Sequence, residues 1–346
     1  MAKLRFKKLD LRTAAPFGIS RWTNTDFANF FVELVDGEGV VGRGEGAPNK
    51  RYNETRRDDA ARLKEVGRVV AHRAGPAAIE DFMAEQAAAL PALRAALSAA
   101  AWDLAGKRFH EPVWKMLGLE RPHCHTSFTV AIGDVDTMLR QARAATEFPI
   151  LKVKLGFTGG VEVVEKLTRA LPEKRFRCDA NEGWDRERAA RALDCLAGLG
   201  AELCEQPLPA GDREGQAWLH ERSPVPLFAD EALLGLDRLE DVADVYDGVV
   251  VKLDKAGGIA SAFSLISACR SRGLQVLLGC MISSSLGIGA ALQLAGLADF
   301  CDLDGALLLA HDPFTGIERD GDRLQASEAD GLGVEPEPAE VQGAEV

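Results

Sequence analysis

Apolar and polar residues alternate over residues 4–12, 30–35 and 40–46, a period of two that predicts strands. Asp36-Gly37-Glu38-Gly39 separates the last two and predicts a hairpin turn. Helical spacing follows over about 53–73, 77–89 and 92–107, the last carrying Leu93, Leu97, Ala100, Trp102 and Leu104. Antiparallel strands followed by helices make an α+β module.

From about residue 124 the pattern changes to short apolar runs alternating with amphipathic stretches. The predicted strands are 125–133, 150–156, 175–182, 203–208, 227–231, 249–254, 274–280 and 300–305, separated by helix-length segments such as 161–170 and 186–199. Eight such strands close a barrel, so the expected class is α/β with a second, α+β module in front. A tail follows that has no Lys or Arg after Arg323, and its end is expected to be disordered.

Composition narrows the partners. The formal net charge is −12, with 41 basic and 53 acidic residues and no Lys/Arg block, so nucleic acid is not an expected partner. Residues 273–298 carry no charge, but Ser283-Ser284-Ser285 and five glycines argue against a membrane span. The N-terminal segment enters strand-like alternation without an apolar signal core, which predicts a cytoplasmic protein. Seven cysteines is an odd number, and Cys178, Cys204, Cys280 and Cys301 lie in apolar runs, so reduced core thiols are expected.

Five predicted strands carry a charged residue near their C-terminal end: Lys154, Asp179, Glu205, Asp230 and Lys252. The step is about 25 residues, the length of a strand, a crossover helix and two loops. In a ring of eight, strands three to five are neighbours, so Asp179, Glu205 and Asp230 converge on one arc of the barrel mouth. A lone strand-end aspartate ordinarily caps a helix or meets an arginine; three in register call for a cation. Oxygen ligands without His or Cys favour Mg²⁺, with Mn²⁺ as an acceptable substitute.

Lys154 and Lys252 are four strands apart and therefore face each other across the mouth. Two bases on opposite faces of one carbon are what inversion requires, one removing a proton while the conjugate acid of the other returns it. The acidic carbon must lie beside a carboxylate held at the cation, which stabilises the enediolate. A base lysine must be neutral, and Lys152 beside Lys154, together with the cation, is expected to lower the lysine pKa. Alternation puts Lys152 with Lys154, Asp179 with Asn181, Lys252 with Asp254 and Asp302 with Asp304 on shared strand faces. Asp302 and Asp304, across the ring from the metal, invite an ammonium, so the substrate is an amino acid or short peptide.

Together, Lys152-Val-Lys154, Asp179-Ala-Asn181, Cys204-Glu205-Gln206-Pro207, Asp230-Glu231, Lys252-Leu-Asp254-Lys255-Ala-Gly-Gly258, Gly279-Cys280-Met281 and Asp302-Leu-Asp304-Gly305 resemble the enolase superfamily. The likeness is to the muconate lactonizing enzyme subgroup and, within it, the dipeptide epimerases; it covers nearly the whole chain. It implies a (β/α)7β-type TIM barrel over residues 121–309, an α+β N-terminal capping domain over 1–120, and a C-terminal segment, 310–346, that returns to the cap. It also implies Mg²⁺ on Asp179, Glu205 and Asp230, Lys154 and Lys252 as the acid/base pair, and Lys152 assisting Lys154 and the substrate carboxylate. The Asp302/Asp304 pair would hold a dipeptide ammonium, with Arg21, Thr129, Asn181, Cys280 and Met281 completing the substrate site. Residues 16–21 and 45–52 are the expected cap loops, and Arg21 could pair with an acidic substrate side chain. Inversion of the C-terminal residue of L-Ala-L/D-Glu, a role in muropeptide recycling and a homo-oligomer are the further expectations.

Alternatives remain at this point: N-succinylamino acid racemase or o-succinylbenzoate synthase, a Schiff-base lyase, or a non-catalytic metal-dependent binding protein. Gly279–Gly289 lacks the Gly-Lys-Ser/Thr ending of a phosphate loop. His123-Cys124-His125 points to alternate faces and is read as a linker into strand one rather than a metal site.

Overall fold

The computed structural model describes residues 3–73 and 75–337. Strands β1 (Lys3–Ile19), β2 (Trp22–Val35) and β3 (Val41–Gly46) form an antiparallel sheet in that order. The β2–β3 turn is set by Asp36, whose Oδ1 accepts the N–H groups of Glu38 (2.8 Å) and Val40 (2.9 Å). The β1–β2 pairing runs beyond the predicted strand: after an irregularity between Arg12 and Phe17 it resumes with Phe17 opposite Asn24 and Ile19 opposite Trp22. Residues 16–21, expected as a loop, are therefore the tip of a long paired hairpin.

Helices α1 (Arg56–Ala71), α2 (Gly75–Gln86) and α3 (Pro91–Phe109) cover this sheet. Thr55 caps α1 by accepting from Asp58 N, and Pro91 opens α3 where a missing N–H costs nothing. The alternating glycines of β3 are explained by α3: a Cβ on Gly42 or Gly44 would lie 2.2 or 2.1 Å from the carbonyl oxygens of Ala100 or Ala96. Small residues on both elements let the backbones touch, around a core that includes Phe30, Leu34, Val66, Met83 and Leu97.

After α4 (Val113–Met116) and β4 (His123–His125) comes an eight-stranded parallel sheet whose strands follow chain order. They are β5 (Phe128–Val130), β6 (Ile150–Lys154), β7 (Arg175–Asp179), β8 (Ala201–Glu205), β9 (Leu227–Ala229), β10 (Gly248–Val251), β11 (Gln275–Gly279) and β12 (Phe300–Asp302). The crossovers carry α5 (Val135–Ala144), α6 (Gly160–Ala170), α7 (Arg186–Gly198), α8 (Arg213–His220), α9 (Leu239–Val242), α10 (Leu253–Ala256), α11 (Ile259–Ser271) and α12 (Ser285–Leu292). Thr126 bridges Cys301 in parallel, and Thr126 Oγ1 accepts from Leu303 N at 2.8 Å, which nearly closes the ring into a barrel.

The first predicted strand, 125–133, is two elements. Only β5 is a barrel strand; β4 pairs with β15 (Arg323–Gln325), which also pairs with β14 (Glu318–Asp320). The segment read as a linker is thus an outer strand. β13 (Phe314–Thr315) pairs with β16 (Glu335–Pro336), and this C-terminal stretch meets the first module through Leu332 N to Asp103 Oδ1 (2.8 Å) and Arg43 to Glu335 (2.5 Å). The seven cysteines are free thiols. No described helix is long and apolar enough to cross a membrane; residues 273–298 form β11, α12 and their connections. The acidic chain end, 338–346, lies outside the described residues.

Candidate active site

Inside the barrel the pleat sorts side chains into two layers. Leu203, Phe228, Val250 and Leu277, with Phe300 against them, form an apolar plug, and Arg177 lies 4.9 Å over the Phe300 ring. Two residues further along those strands come Glu205, Asp230, Lys252, Gly279 and Asp302, with Lys154 and Asp179 on β6 and β7. The charges seen in the sequence are the layer above the plug. Only β11 offers a glycine there, and a Cβ on Gly279 would come 3.2 Å from Lys252 Cε, so this position leaves room for the lysine chain.

Asp179, Glu205 and Asp230 are buried and present oxygens within 4.8 Å of one another. Lys154 Nζ donates to Asp179 Oδ2 (2.6 Å), and Lys252 Nζ donates to Asp230 Oδ2 (2.8 Å). Lys152 reaches further: its Nζ lies 2.6 Å from Asp302 Oδ2, 2.8 and 2.9 Å from the two Glu205 oxygens and 3.4 Å from Asp179. Burial alone would raise Asp179 and Asp230, but the lysines outweigh it and hold both low, Asp230 well below the usual range. For Glu205 burial prevails over Lys152, and its carboxyl is pushed up to about 8.

Two buried oxygens in this region, Asn181 Oδ1 and Glu231 Oε2, accept no hydrogen bond among the described residues, and Glu205 Oε1 meets only the Lys152 ammonium. Buried orphan acceptors are costly. An all-oxygen triad with further oxygens beside it suits a hard divalent cation such as Mg²⁺.

The expected fall in lysine pKa rests in part on the cation; the protein's own groups act on Lys152 and Lys252 in the opposite direction. Burial does lower Lys152 and Lys252, but Asp302 with Glu205 in the first case and Asp230 in the second more than reverse it, and both are raised. Each ammonium sits on a carboxylate rather than on another ammonium. Lys152 is likewise committed to Glu205 and Asp302 instead of being open toward a substrate carboxylate.

Several shared-face expectations fail because the strands end sooner than predicted. β10 stops at Val251, Lys252 caps α10, and the Asp254 carboxylate turns away to accept Ala47 N at 2.8 Å. β12 stops at Asp302, which accepts Ser127 Oγ at 2.6 Å, while Asp304 accepts the Thr129 N–H at 2.6 Å. β7 stops at Asp179, and Asn181 takes a positive φ of 44°, as does Glu182 at 64°. Asn181, Thr129, Cys280, Met281, Asp302 and Asp304 nevertheless line the same cavity of about 710 Å³ as Lys152, Lys154 and Lys252.

Arg21 lies on the hairpin tip over this cavity, but its guanidinium is occupied. It donates to Asn181 O (2.7 Å), Glu182 (3.0 Å) and Glu231 (2.8 Å), and Arg51 forks onto the same Glu182 (2.8 and 2.7 Å). The expected opening toward an acidic substrate side chain is filled by the protein's own carboxylates.

Residues 134–340 match the family described as enolase C-terminal domain-like, and residues 4–118 match the mandelate racemase / muconate lactonizing enzyme N-terminal domain. The chain belongs to the enolase superfamily. This superfamily member is 35% identical over 326 residues to the L-Ala-D/L-amino acid epimerase of Pedosphaera parvula, covering 91% of this chain and 93% of that one. It is 35% identical over 301 residues to the L-Ala-D/L-Glu epimerase of Escherichia coli, covering 86% and 91%. It superposes with a TM-score of 0.91 on the Enterococcus faecalis V583 dipeptide epimerase complexed with Mg and the dipeptide L-Leu-L-Tyr, at 27% identity, covering 96% of this chain and 98% of that one.

Sequence patterning passed over several supports of this enolase-type site. Lys255 is buried and donates to Asp230 Oδ1 (2.6 Å), Asp230 O (2.6 Å), Leu233 O (3.1 Å) and Val250 O (2.9 Å). Gln206, at φ 35°, accepts from Asp230 N (3.1 Å) and Ala232 N (3.0 Å) and donates to Leu208 O and Tyr246 Oη. Both steady the third carboxylate. Their motifs were visible, but which group each side chain meets depends on its reach between neighbouring strands, which spacing does not report. Asn29 and Glu45 join the first module to the barrel: Asn29 Nδ2 donates to Glu45 (2.8 Å) and to Ile282 O (2.9 Å).

Proposed function

We propose that this enolase-superfamily chain is a Mg²⁺-dependent dipeptide epimerase that inverts the α-carbon of the C-terminal residue of L-Ala-L/D-Glu or an analogue. The observation that carries the reading is the cavity itself: Lys154 on β6 and Lys252 just past the end of β10, on opposite sides of the barrel, are each paired with a member of one carboxylate triad. A cation on Asp179, Glu205 and Asp230 would supply the positive charge that makes a carbon acid beside a carboxylate accessible.

The chain's own residues do the rest. In the proposal Lys154 and Lys252 hold and move the proton, one taking it from the α-carbon and the other delivering a proton to the opposite face. Asp302 and Asp304 face the peptide ammonium. Asp304 is the better candidate for direct contact, because Asp302 already meets Lys152 and Ser127. The paired hairpin tip and residues 45–52 cover the mouth and exclude water from the reacting centre. An N-succinylated substrate brings no ammonium to the aspartates, which favours a dipeptide over the N-succinylamino acid racemase and o-succinylbenzoate synthase readings. Residues 1–120 as cap, 121–309 as barrel and 310–346 as the returning segment are part of the same proposal, as are muropeptide recycling in the cytoplasm and a homo-oligomer.

Incubation of L-Ala-L-Glu and a dipeptide library with protein and Mg²⁺ in D₂O tests it. The expected result is a gain of one mass unit per turnover with appearance of the second diastereomer, lost on adding EDTA and restored by Mg²⁺ or Mn²⁺. Dipeptide binding without α-proton exchange would leave only a binding protein. Turnover that survives EDTA, with a borohydride-trapped adduct at Lys154 or Lys252, would point to Schiff-base chemistry instead.

A further inference from the structure

A second cavity of about 540 Å³ lies between the first module and the barrel, walled by α2, α3, the 234–237 loop and α11. Arg94 on α3 and Lys255 on α10 are its cations. The Arg94 guanidinium is laid against the backbone at Gly257, where a Cβ would come 2.6 Å from Cζ. Its Nε is shielded from solvent and has no hydrogen-bond partner among the described residues. A desolvated guanidinium donor left unpaired is costly, and burial lowers the Arg94 pKa even though Glu80, Asp237 and Glu54 oppose this.

The neighbouring charges relieve it only in part. Glu80 Oε1 accepts Ser98 Oγ (2.5 Å) and Trp102 Nε1 (3.0 Å), and Lys255 spends its ammonium on the Asp230 region. Asp81 and Asp237 stand at the exposed rim, and Ala84, Leu234 and Leu236 give the cavity an apolar wall. Arg94 with the hydrogen-bonded Glu80 inside, two carboxylates at the rim and an aliphatic wall suit a small zwitterion with an apolar body.

We propose that this cavity is a second ligand site for an aliphatic amino acid or short peptide, its carboxylate on Arg94 and its ammonium toward Asp81 and Asp237. Tyr52 lines both this cavity and the catalytic one, so an occupant would touch a residue that also faces the reacting centre.

Calorimetric titration of the Mg²⁺-loaded protein with L-leucine, alongside isocaproate as the same skeleton without an ammonium, tests the site. Arg94→Met is expected to weaken L-leucine binding about tenfold or more, the scale of one charge-assisted hydrogen-bonded contact. Ser261→Leu, which fills the cavity from α11 and leaves Arg94 in place, is expected to weaken it as well, and it carries the test if the arginine variant misfolds. Isocaproate is expected to bind several-fold more weakly than L-leucine. The proposal is overturned if wild-type protein gives no binding, if both variants bind L-leucine as wild type does, or if isocaproate binds as tightly.

Discussion

Lys152 and Asp302 form a buried ion pair at 2.6 Å that ties the second barrel strand to the eighth. The same ammonium reaches both oxygens of Glu205. Asp302 is therefore a structural counter-ion as well as a wall of the cavity, whereas the Asp304 carboxylate, two residues on, accepts only from Thr129 among the described residues and is pushed up to about 7 by burial and by Asp302.

The two aspartates should accordingly separate in mutagenesis. Asp302→Asn leaves Lys152 with less compensation in a dry site and is expected to cost about 3 kcal/mol of stability, read by urea unfolding. Asp304→Asn is expected to cost about 1 kcal/mol or less, yet to depress dipeptide turnover far more than turnover of an N-acylated analogue. Equal losses on the two substrates would remove Asp304 from ammonium recognition.

Lys154→Ala and Lys252→Ala are each expected to lower epimerisation by about 10²–10⁴-fold while circular dichroism stays native. Because each lysine serves one face, each variant should still wash solvent deuterium into one diastereomer, and the two variants should differ in which. Exchange into both diastereomers by either single variant would rule out the two-base arrangement.

Glu182 accepts from both Arg21 and Arg51, so Glu182→Gln should loosen the hairpin tip and the 45–52 segment together. The expected signature is a KM raised about three- to tenfold with kcat within about twofold, since the contacts lie on the cover rather than at the reacting carbon. A fall in kcat at constant KM would assign Glu182 to the chemical step.

Glu45 couples the two modules, accepting from Asn29 Nδ2, Ser284 N–H and Oγ, and Gly287 N–H at the start of α12. Burial pushes its carboxyl up to about 8 despite these donors, from an ordinary value near 4.5. The sign follows: below the unfolded value both states are protonated, and as pH rises toward 8 the unfolded chain ionises first. Glu45 thus contributes stability at low pH that is lost as pH rises through about 4.5 to 8, at up to about 1.4 kcal/mol per pH unit. Chemical denaturation across this range should show that slope in the wild type and a shallower one in Glu45→Gln; identical slopes would mean that Glu45 is already ionised in the fold.

What the chain determines on its own is its periodicity. Alternation and helical spacing set the α+β module, the strand–helix repeat and the barrel, and the step of about 25 residues placed Lys154, Asp179, Glu205, Asp230, Lys252 and Asp302 in one inner layer, because a strand two residues above an apolar plug has only one side on which to put a charge. Tertiary structure decided which charge meets which. Lys152 to Asp302, Arg21 to Glu231, Lys255 to Asp230 and Asn29 to Ile282 join elements far apart in sequence, and such pairs depend on where the barrel closes and how far a side chain reaches. The same holds for the early strand ends at Val251 and Asp302, which turned Asp254 toward Ala47 and Asp304 toward Thr129: a strand stops where its neighbour's hydrogen bonds stop, and that neighbour lies elsewhere in the chain.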